Sequence, residues 1–284
     1  MSVPAQNSPQ MDAVAEKAAG SSFYAAMRLM PRAQRDAMFA IYAFCRVVDD
    51  IADDEMRGSR EEREAELNAW RADLDALYQG ADVPRAAFLS PAIRQYGLRK
   101  ADFLTVIDGM QMDVDADIRG PDAATLDLYC ERVASAVGRL SIKVFGMDEE
   151  PGFDLAHHLG RALQLTNIIR DLDEDAQIGR LYLPSELLDA AGIATREPNA
   201  VIASPAIDDV CRNIAALAHE HYDEAMRILN ERPRGSLRAP KLMAAVYSRI
   251  LSKMEAQGWA PPRARAKLGK AQLLWIVARH GLAG

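Results

Sequence analysis

Residues 37–54 read AMFAIYAFCRVVDDIADD, a strongly apolar run that ends in aspartates. Apolar residues recur at three- and four-residue intervals, which is typical of a helix with one buried face. Pro31 lies just upstream, where a proline can begin a helix because the first helical turn does not need its N–H group. The sequence therefore predicts a helix from Pro31 to about Asp54, apolar along its length and acidic at its end.

The acids at the end of this helix share a face. Asp49 and Asp53 are four residues apart, so both project from the same side, and Arg46 lies one turn earlier on that side. Tyr42 continues the same stripe. This helix end therefore carries two carboxylates, a guanidinium and a phenol on one face.

A second stretch, QLTNIIRDLDED at residues 164–175, repeats the arrangement within a segment, 152–176, that is apolar on one face. Asn167, Asp171 and Asp175 stack at four-residue intervals on the predicted helix, with Arg170 beside them. We refer to Asp49 with Asp53 as the first acid cluster, and to Asn167, Asp171 and Asp175 as the second.

Acids in these positions carry a cost. Like charges four residues apart destabilise a helix, and acids at its carboxyl end oppose the helix dipole. One such cluster alone is most simply a solvated helix end. Two clusters, each with an arginine and an amide or tyrosine, favour a shared divalent cation instead, and oxygen ligands of this kind suit Mg²⁺.

Carboxylates alone repel a phosphate, but Mg²⁺ held between acids and a diphosphate reverses that repulsion, and arginines add direct phosphate contacts. An apolar helical cavity beneath the clusters would accept a hydrocarbon chain. Composition and spacing thus indicate Mg²⁺-assisted ionisation of a long-chain diphosphate.

The rest of the chain also has the pattern of helix, without runs of alternating β-branched residues. It contains no internal repeat and no linker long enough to divide it. We therefore predict a flexible tail at 1–10 and one all-α domain over 11–284. Further predicted helices cover 12–30, 59–80 (with a capping box of Ser59 and Glu62), 85–96, 100–117, 122–145, 205–230, 236–257 and 266–280.

The 284 residues carry a formal charge of −7, which argues against a nucleic-acid partner. The three cysteines are far apart, which suits a reducing cytoplasm. No targeting or transmembrane segment is visible, because the longest apolar run, 37–45, is too short. The stretch LLWIVA at 273–278 could touch a membrane surface peripherally, although packing into the core is the favoured interpretation.

Taken in order, these motifs resemble the squalene/phytoene synthase family, which joins two prenyl diphosphates head to head. The resemblance covers nearly the whole chain, and the motif sequences are most similar to those of bacterial family members that act in hopanoid biosynthesis. It implies an isoprenoid-synthase-like helical bundle around a central apolar cavity. It rests on GSSFY at 20–24, YAFCRVVDDIAD at 42–53, Tyr129, NIIRDLDED at 167–175 and GRLYLP at 179–184.

The resemblance also implies roles for individual residues. The two acid clusters would carry two or three Mg²⁺ ions. Ser21 stands where several relatives have a lysine, so a direct phosphate contact there is not expected. The metal ligands would be Asp49, Asp53, Asn167, Asp171 and Asp175, and the diphosphates would be contacted by Arg46, Arg170 and Arg265. The N-terminal wall of the pocket would contain Ser22, Phe23 and Tyr42, and its remaining lining would include Tyr129, Gln164 and Tyr247.

The reaction implied by the family is the condensation of two farnesyl diphosphates to presqualene diphosphate with release of pyrophosphate. The proton-accepting base would be the released pyrophosphate or a tyrosine such as Tyr129. NADPH is not expected for this reaction, and the chain lacks the GxG pair of a dinucleotide-binding fold. A separate reductase would then consume the product.

Other products of the family stay open: squalene or dehydrosqualene, with or without NADPH, or phytoene from geranylgeranyl diphosphate. A head-to-tail elongase or a terpene cyclase also uses acid-rich helices and Mg²⁺, but the NxxRDxxxD form of the second cluster argues against both. A non-catalytic assembly factor is disfavoured because the acids are intact.

Two further groups of residues have simpler interpretations. The acids of DGMQMDVD, residues 108–115, could add to the polar rim, but a solvated helix face is favoured. His157 with His158, and His219 with His221, are too close along their helices to face the same way, so neither is predicted to be a metal-binding pair.

Overall fold

The computed structural model describes residues 27, 30–53, 58–115 and 118–281. The predicted tail at 1–10, Ser22, Phe23 and nearly all of the predicted helix at 12–30 lie outside these residues.

Within the described ranges the chain is all-α, as predicted, and the sole β-type pairing there is an isolated bridge between Arg119 and Leu181. The α-helices are α1 (Arg32–Asp53), α2 (Arg60–Tyr78), α3 (Ser90–Tyr96), α4 (Lys100–Asp115), α5 (Ala123–Cys130), α6 (Ala136–Phe145), α7 (Glu149–Arg170), α8 (Leu172–Gln177), α9 (Ser185–Ala190), α10 (Pro198–Ile202), α11 (Ile207–Asn230), α12 (Arg238–Gln257) and α13 (Lys270–Gly281).

The start of α2 confirms the predicted capping box. The Glu62 backbone N–H donates to the Ser59 hydroxyl at 3.3 Å, and the Ser59 N–H donates to the Glu62 carboxylate at 2.7 Å. Two N–H groups that a helix start leaves without partners are thereby satisfied.

The prediction of one helix over 85–96 is wrong in its first half. A short 3₁₀ turn, Ala87–Leu89, precedes α3, and Pro91 occupies the first turn of α3. A proline lacks the N–H that an α-helix interior requires, so the α-helix begins at this point rather than passing through it.

The predicted helix at 122–145 contains a π-helical turn, Glu131–Ser135, between α5 and α6. Gly160 of α7 packs against this turn so closely that a Cβ at that position would lie 2.8 Å from the Ser135 nitrogen. The π-helical turn and Gly160 together allow the backbone of α7 to pack directly against the backbone of the turn.

The predicted helix at 152–176 is broken at Asp171, whose φ of −103° and ψ of 18° separate α7 from α8. The kink preserves the four-residue stacking, because the Asp171 N–H donates to the Asn167 carbonyl at 2.9 Å and the Asp175 N–H donates to the Asp171 carbonyl at 2.8 Å. The second acid cluster therefore shares one side, although it does not lie on one continuous helix.

A contiguous hydrophobic core runs through the described helices and borders a cavity of about 410 Å³. Phe44 of α1 packs edge-on against Trp70 of α2 and Phe103 of α4, with ring centroids 5.7 and 5.0 Å apart. These contacts fix α1, so the position of its acidic end is set by the core.

None of the helices within the described ranges is both long and apolar enough to span a bilayer. The stretch LLWIVA in α13 is only partly in the core, which corrects the favoured interpretation. Ile276 is buried, but Leu274 is 70% exposed and Trp275 is 61% exposed. Two large apolar side chains on neighbouring positions therefore face outward.

Candidate active site

The end of α1 is held by internal ion pairs. The Arg46 guanidinium donates to Asp49 at 2.6 Å and to Asp50 at 2.7 Å. Burial, with a further contribution from Asp53, raises the pKa of Asp49 to about 7, although Arg46 opposes the shift. The first acid cluster thus contains a carboxyl that resists ionisation because it is buried beside another acid.

The second acid cluster is anchored by two arginines. Arg170 donates to both oxygens of Asp171, at 2.7 and 2.6 Å, and Arg265 donates to the same carboxylate at 2.7 Å. Burial disfavours ionisation of Asp171, but these hydrogen bonds outweigh it and lower the pKa. Arg265, which lies far away in the sequence, is therefore brought to the site.

The third member of that cluster, Asp175, behaves differently. Burial and the neighbouring charge of Asp171 raise the pKa of Asp175 to about 8, and Asp53 of the first cluster adds to the shift. A charge on α1 thus acts on a carboxyl of α8. The two acid clusters lie within electrostatic reach of each other, as the interpretation of a shared site requires.

Arg180 connects the two clusters. It lies in the segment GRLYLP, where Gly179 has a φ of +76°, a left-handed conformation that glycine adopts readily. The Arg180 guanidinium bonds the Asp53 carboxylate and donates to the Ala52 carbonyl at 2.9 Å, and its backbone N–H donates to the Asp175 carbonyl at 2.9 Å. It therefore neutralises a helix end that carries unfavourable negative charge.

A buried carboxyl from α4 completes the polar wall. Asp113 accepts hydrogen bonds from the hydroxyls of Tyr182 at 2.9 Å and Tyr129 at 3.2 Å, and the two tyrosine rings stack with centroids 4.9 Å apart. Burial raises the pKa of Asp113 to about 6, while Arg180 and the hydroxyls oppose the shift. The favoured interpretation of a solvated face for residues 108–115 is therefore wrong at Asp113.

That interpretation is correct for the neighbouring acids. Asp108 pairs with Arg71 at 2.8 Å, and Asp115 pairs with Arg60 at 3.4 Å, both at partly exposed positions. Asp113 differs because it falls on the buried face of α4 with Val106 and Met110.

Three buried side-chain atoms within the described ranges lack a hydrogen-bond partner, and one of them belongs to the second acid cluster. The Asn167 side-chain oxygen is buried and accepts no hydrogen bond. An unpaired buried oxygen is costly unless something binds it. It lies in a cluster with Asp171 and Asp175, beside carboxyls that resist ionisation. This donor set consists of oxygen atoms, which Mg²⁺ prefers as ligands, and a bound cation would favour ionisation of Asp49 and Asp175, whose pKa values are raised.

Six of the residues predicted for the site line the apolar cavity: Tyr42, Arg46, Gln164, Asn167, Arg170 and Tyr247. Tyr247 lies under the Arg170 guanidinium, 5.9 Å from ring centroid to guanidinium carbon. Tyr129 is not among the lining residues, which corrects the expectation that it lines the pocket; its hydroxyl faces Asp113 instead. Ser22 and Phe23 lie outside the described residues.

Sequence reasoning assigned no role to Arg180 or Tyr182, and it considered Asp113 for the polar rim but favoured a solvated position. Two signals were available. Arg180 and Tyr182 stand in GRLYLP, a motif that carried the resemblance without a role for either residue. Asp113 falls on the apolar face of its helix, where an unpartnered acid is rare.

Comparison with known proteins agrees with this geometry. The model of the family described as squalene/phytoene synthase matches residues 17–272. The chain belongs to the squalene/phytoene synthase family. The match includes both acid clusters, GRLYLP and Arg265.

Within the family, the chain is 55% identical to a presqualene diphosphate synthase of Rhodopseudomonas palustris, over 93% of this chain and 94% of that protein. It is 35% identical to a phytoene synthase of Mycobacterium tuberculosis, over 84% and 79%. A squalene synthase from Alicyclobacillus acidocaldarius of known structure superposes with a TM-score of 0.76 at 28% identity, covering 89% of this chain and 95% of that one.

Proposed function

We propose that this squalene/phytoene synthase family member condenses two molecules of farnesyl diphosphate head to head into presqualene diphosphate, with release of pyrophosphate. The observation that carries the proposal is the meeting of two acid clusters, joined by Arg180, beside an apolar cavity of about 410 Å³. The greater identity to a presqualene diphosphate synthase than to a phytoene synthase supports the choice of product.

Asp49, Asp53, Asn167, Asp171 and Asp175 are the residues that would hold Mg²⁺, two or three ions in all. Bound there, Mg²⁺ supplies positive charge that stabilises the departing pyrophosphate. Arg46 and Arg170 are tied to carboxylates of these clusters. If Mg²⁺ neutralised those carboxylates, both guanidinium groups would be free to bind a diphosphate instead.

The chemistry begins when the C1–O bond of one farnesyl diphosphate breaks and pyrophosphate leaves an allylic cation. The C2–C3 double bond of the second molecule attacks that cation, and loss of a proton closes the cyclopropane. The cavity wall aligns the two chains and excludes water, which would quench the cation. The rings of Tyr42 and Tyr247, both in the wall, offer π faces to positive charge.

Released pyrophosphate is the better candidate for the base. Burial, with Asp113 adjoining, holds the pKa of Tyr129 well above its ordinary value. A phenol must ionise before it can accept a proton, so Tyr129 is poorly suited to that role. Its hydrogen bond to Asp113 instead positions the wall that carries Tyr182 and Arg180.

The reaction would end at presqualene diphosphate, without NADPH, and a separate reductase would consume the product. Peripheral contact with a lipid surface is part of the proposal. Leu274 and Trp275 project from α13, with Lys270 in the same helix and the Arg279 guanidinium 5.4 Å from the Trp275 ring. An apolar patch with neighbouring cations is the pattern of a helix that lies on anionic lipid.

Product analysis tests the activity. Purified protein is incubated with farnesyl diphosphate and Mg²⁺, with and without NADPH. Accumulation of presqualene diphosphate in both conditions is expected. Squalene formed only with NADPH would overturn the choice of product. Consumption of geranylgeranyl diphosphate but not farnesyl diphosphate would replace the function with phytoene synthesis.

A further inference from the structure

Three imidazoles meet away from the acid clusters, on the contact between α7 and α11. His157 and His158 lie on α7, and His221 comes from α11. The Nδ1 atoms of His158 and His221 are 3.0 Å apart, and one ligand nitrogen from each of the three rings lies within 4.8 Å of the others. We did not expect a metal-binding pair because the sequence analysis compared only histidines on the same helix. The structure instead brings His221 of α11 to His158 of α7.

The spacing is close to that of ligands on one ion. Two nitrogens bound tetrahedrally to zinc at about 2.05 Å are separated by roughly 3.3 Å. His158 and His221 therefore need only a small movement to share an ion. His157 accepts a hydrogen bond at 2.9 Å from Arg161, which also bonds Asp127 and Glu131, so Arg161 can release His157 and stay paired.

Charged groups of both signs surround the imidazoles. The charged groups that face the imidazoles are Arg161 from α7, Asp127 from α5, Glu131 from the π-helical turn, and Glu224 from α11, which is paired with Arg227. Arg139 also pairs with Glu131, so these acids and arginines are equal in number. The attraction for an ion would therefore come from the imidazole nitrogens themselves.

We propose that His157, His158 and His221 form a binding site for a divalent transition-metal ion of the zinc class. Nitrogen ligands favour such ions over Mg²⁺. His221 also borders a second cavity of about 310 Å³, which gives an ion access and leaves room for water as a further ligand. The site lies nine residues before Asn167 on α7, about 13 Å along the axis, and is separate from the acid clusters.

The proposed ion clamps α7 to α11. Because α7 also carries Gln164, Asn167 and Arg170, the clamp would stiffen the helix that presents the second acid cluster. The proposed ion would stabilise the fold and would take no part in the proposed reaction.

Metal titration of the full chain tests the proposal. Metal-free protein in excess Mg²⁺, which occupies oxygen-ligand sites, is titrated with Co²⁺ while the visible absorption of imidazole-bound cobalt is followed, and Co²⁺ is then displaced by Zn²⁺. One equivalent is expected to bind. The Kd should rise at least about 30-fold in His158→Ala and in His221→Ala. His219→Ala, whose imidazole pairs with Glu255, is the matched control and should bind like the unmodified chain.

A second measurement is thermal unfolding with Zn²⁺ at about 100 times its Kd, which should raise Tm by about 5 °C or more in the unmodified chain and not in His158→Ala. Failure of the unmodified chain to bind Co²⁺, or undiminished binding in both variants, would overturn the proposal. If the variants do not fold, X-ray absorption of the Zn²⁺-loaded chain decides: three imidazoles support the site, and oxygen ligands alone contradict it.

Discussion

Arg180 bonds the carboxylate of Asp53 across 127 residues of sequence and so holds the end of α1 against the segment that follows α8. The same guanidinium satisfies the Ala52 carbonyl at 2.9 Å and lies 4.0 Å from buried Asp113. One side chain thus balances carboxylates from two parts of the chain, the end of α1 and the buried face of α4. Arg180 therefore ties the first acid cluster to the segment beside the second.

Arg180→Gln should destabilise the protein and reduce activity. Its loss leaves Asp113 buried and unneutralised, which costs about 3 kcal/mol of unfolding free energy. Denaturant unfolding measures the change. Arg227→Gln, at an exposed pair with Glu224, should change stability by less than about 0.5 kcal/mol. Equal effects of the two substitutions would show that Arg180 does not hold the two acid clusters together.

Asp171→Asn and Asp49→Asn should each reduce the turnover of farnesyl diphosphate by about a thousandfold or more, because each loses about 4 kcal/mol of charge stabilisation in the transition state. The shape of the side chain is kept, so far-UV circular dichroism should be unchanged. Asp108→Asn, which removes an exposed acid paired with Arg71, is the matched control. Turnover within tenfold of normal in either site variant would contradict the metal assignment.

The substitution Asn167→Leu should weaken Mg²⁺ binding without weakening the fold. The Asn167 oxygen is buried without a hydrogen bond, so an apolar side chain of similar size should leave the metal-free protein as stable as before, or more stable by about 1 kcal/mol. Affinity for Mg²⁺ should fall at least about tenfold, because an oxygen ligand is lost. Calorimetric Mg²⁺ titration and thermal unfolding give the two readouts. Asn167→Asp, which keeps an oxygen, should retain Mg²⁺ binding, and loss of binding there as well would count against a ligand role.

The metal-free protein should become less stable as pH rises toward 8. The pKa of Asp175 is raised to about 8 and that of Asp49 to about 7 in the fold, so the folded state holds protons that the unfolded state has already released. Between about pH 6 and pH 8, Asp175 alone should reduce the unfolding free energy by about 2 kcal/mol. Denaturant unfolding at several pH values measures the slope.

Two conditions should flatten that slope. Asp175→Asn removes the titrating group, and saturating Mg²⁺ would make ionised carboxylates favourable. A slope that Mg²⁺ leaves unchanged would show that the cation does not bind at these carboxylates.

Much of the site could be predicted because its residues are neighbours along a helix. Asp49, Asp53 and Arg46 are spaced so that any helix brings them to one face, and Arg46 does contact Asp49. The same holds for Asn167, Asp171 and Asp175, whose stacking survives the kink after Arg170. Local geometry alone produces each cluster.

Other contacts could not be predicted in this way. Nothing in the spacing of Arg180 indicates that it bonds Asp53, and the burial of Asp113 follows from the packing of α4 against helices distant in sequence. His158 meets His221 only because α7 and α11 pack side by side. Such contacts depend on how helices are placed relative to one another, and that placement is decided by the packing of the whole core.

The sequence by itself determined the helical class, the two acid clusters and the family, because periodicity and motifs are local properties of the chain. The tertiary structure decided that the clusters lie near each other, that Arg180 joins them, and that the Tyr129 hydroxyl bonds Asp113. It also decided which carboxyls resist ionisation, because the pKa of a buried group depends on every charge and dipole packed around it.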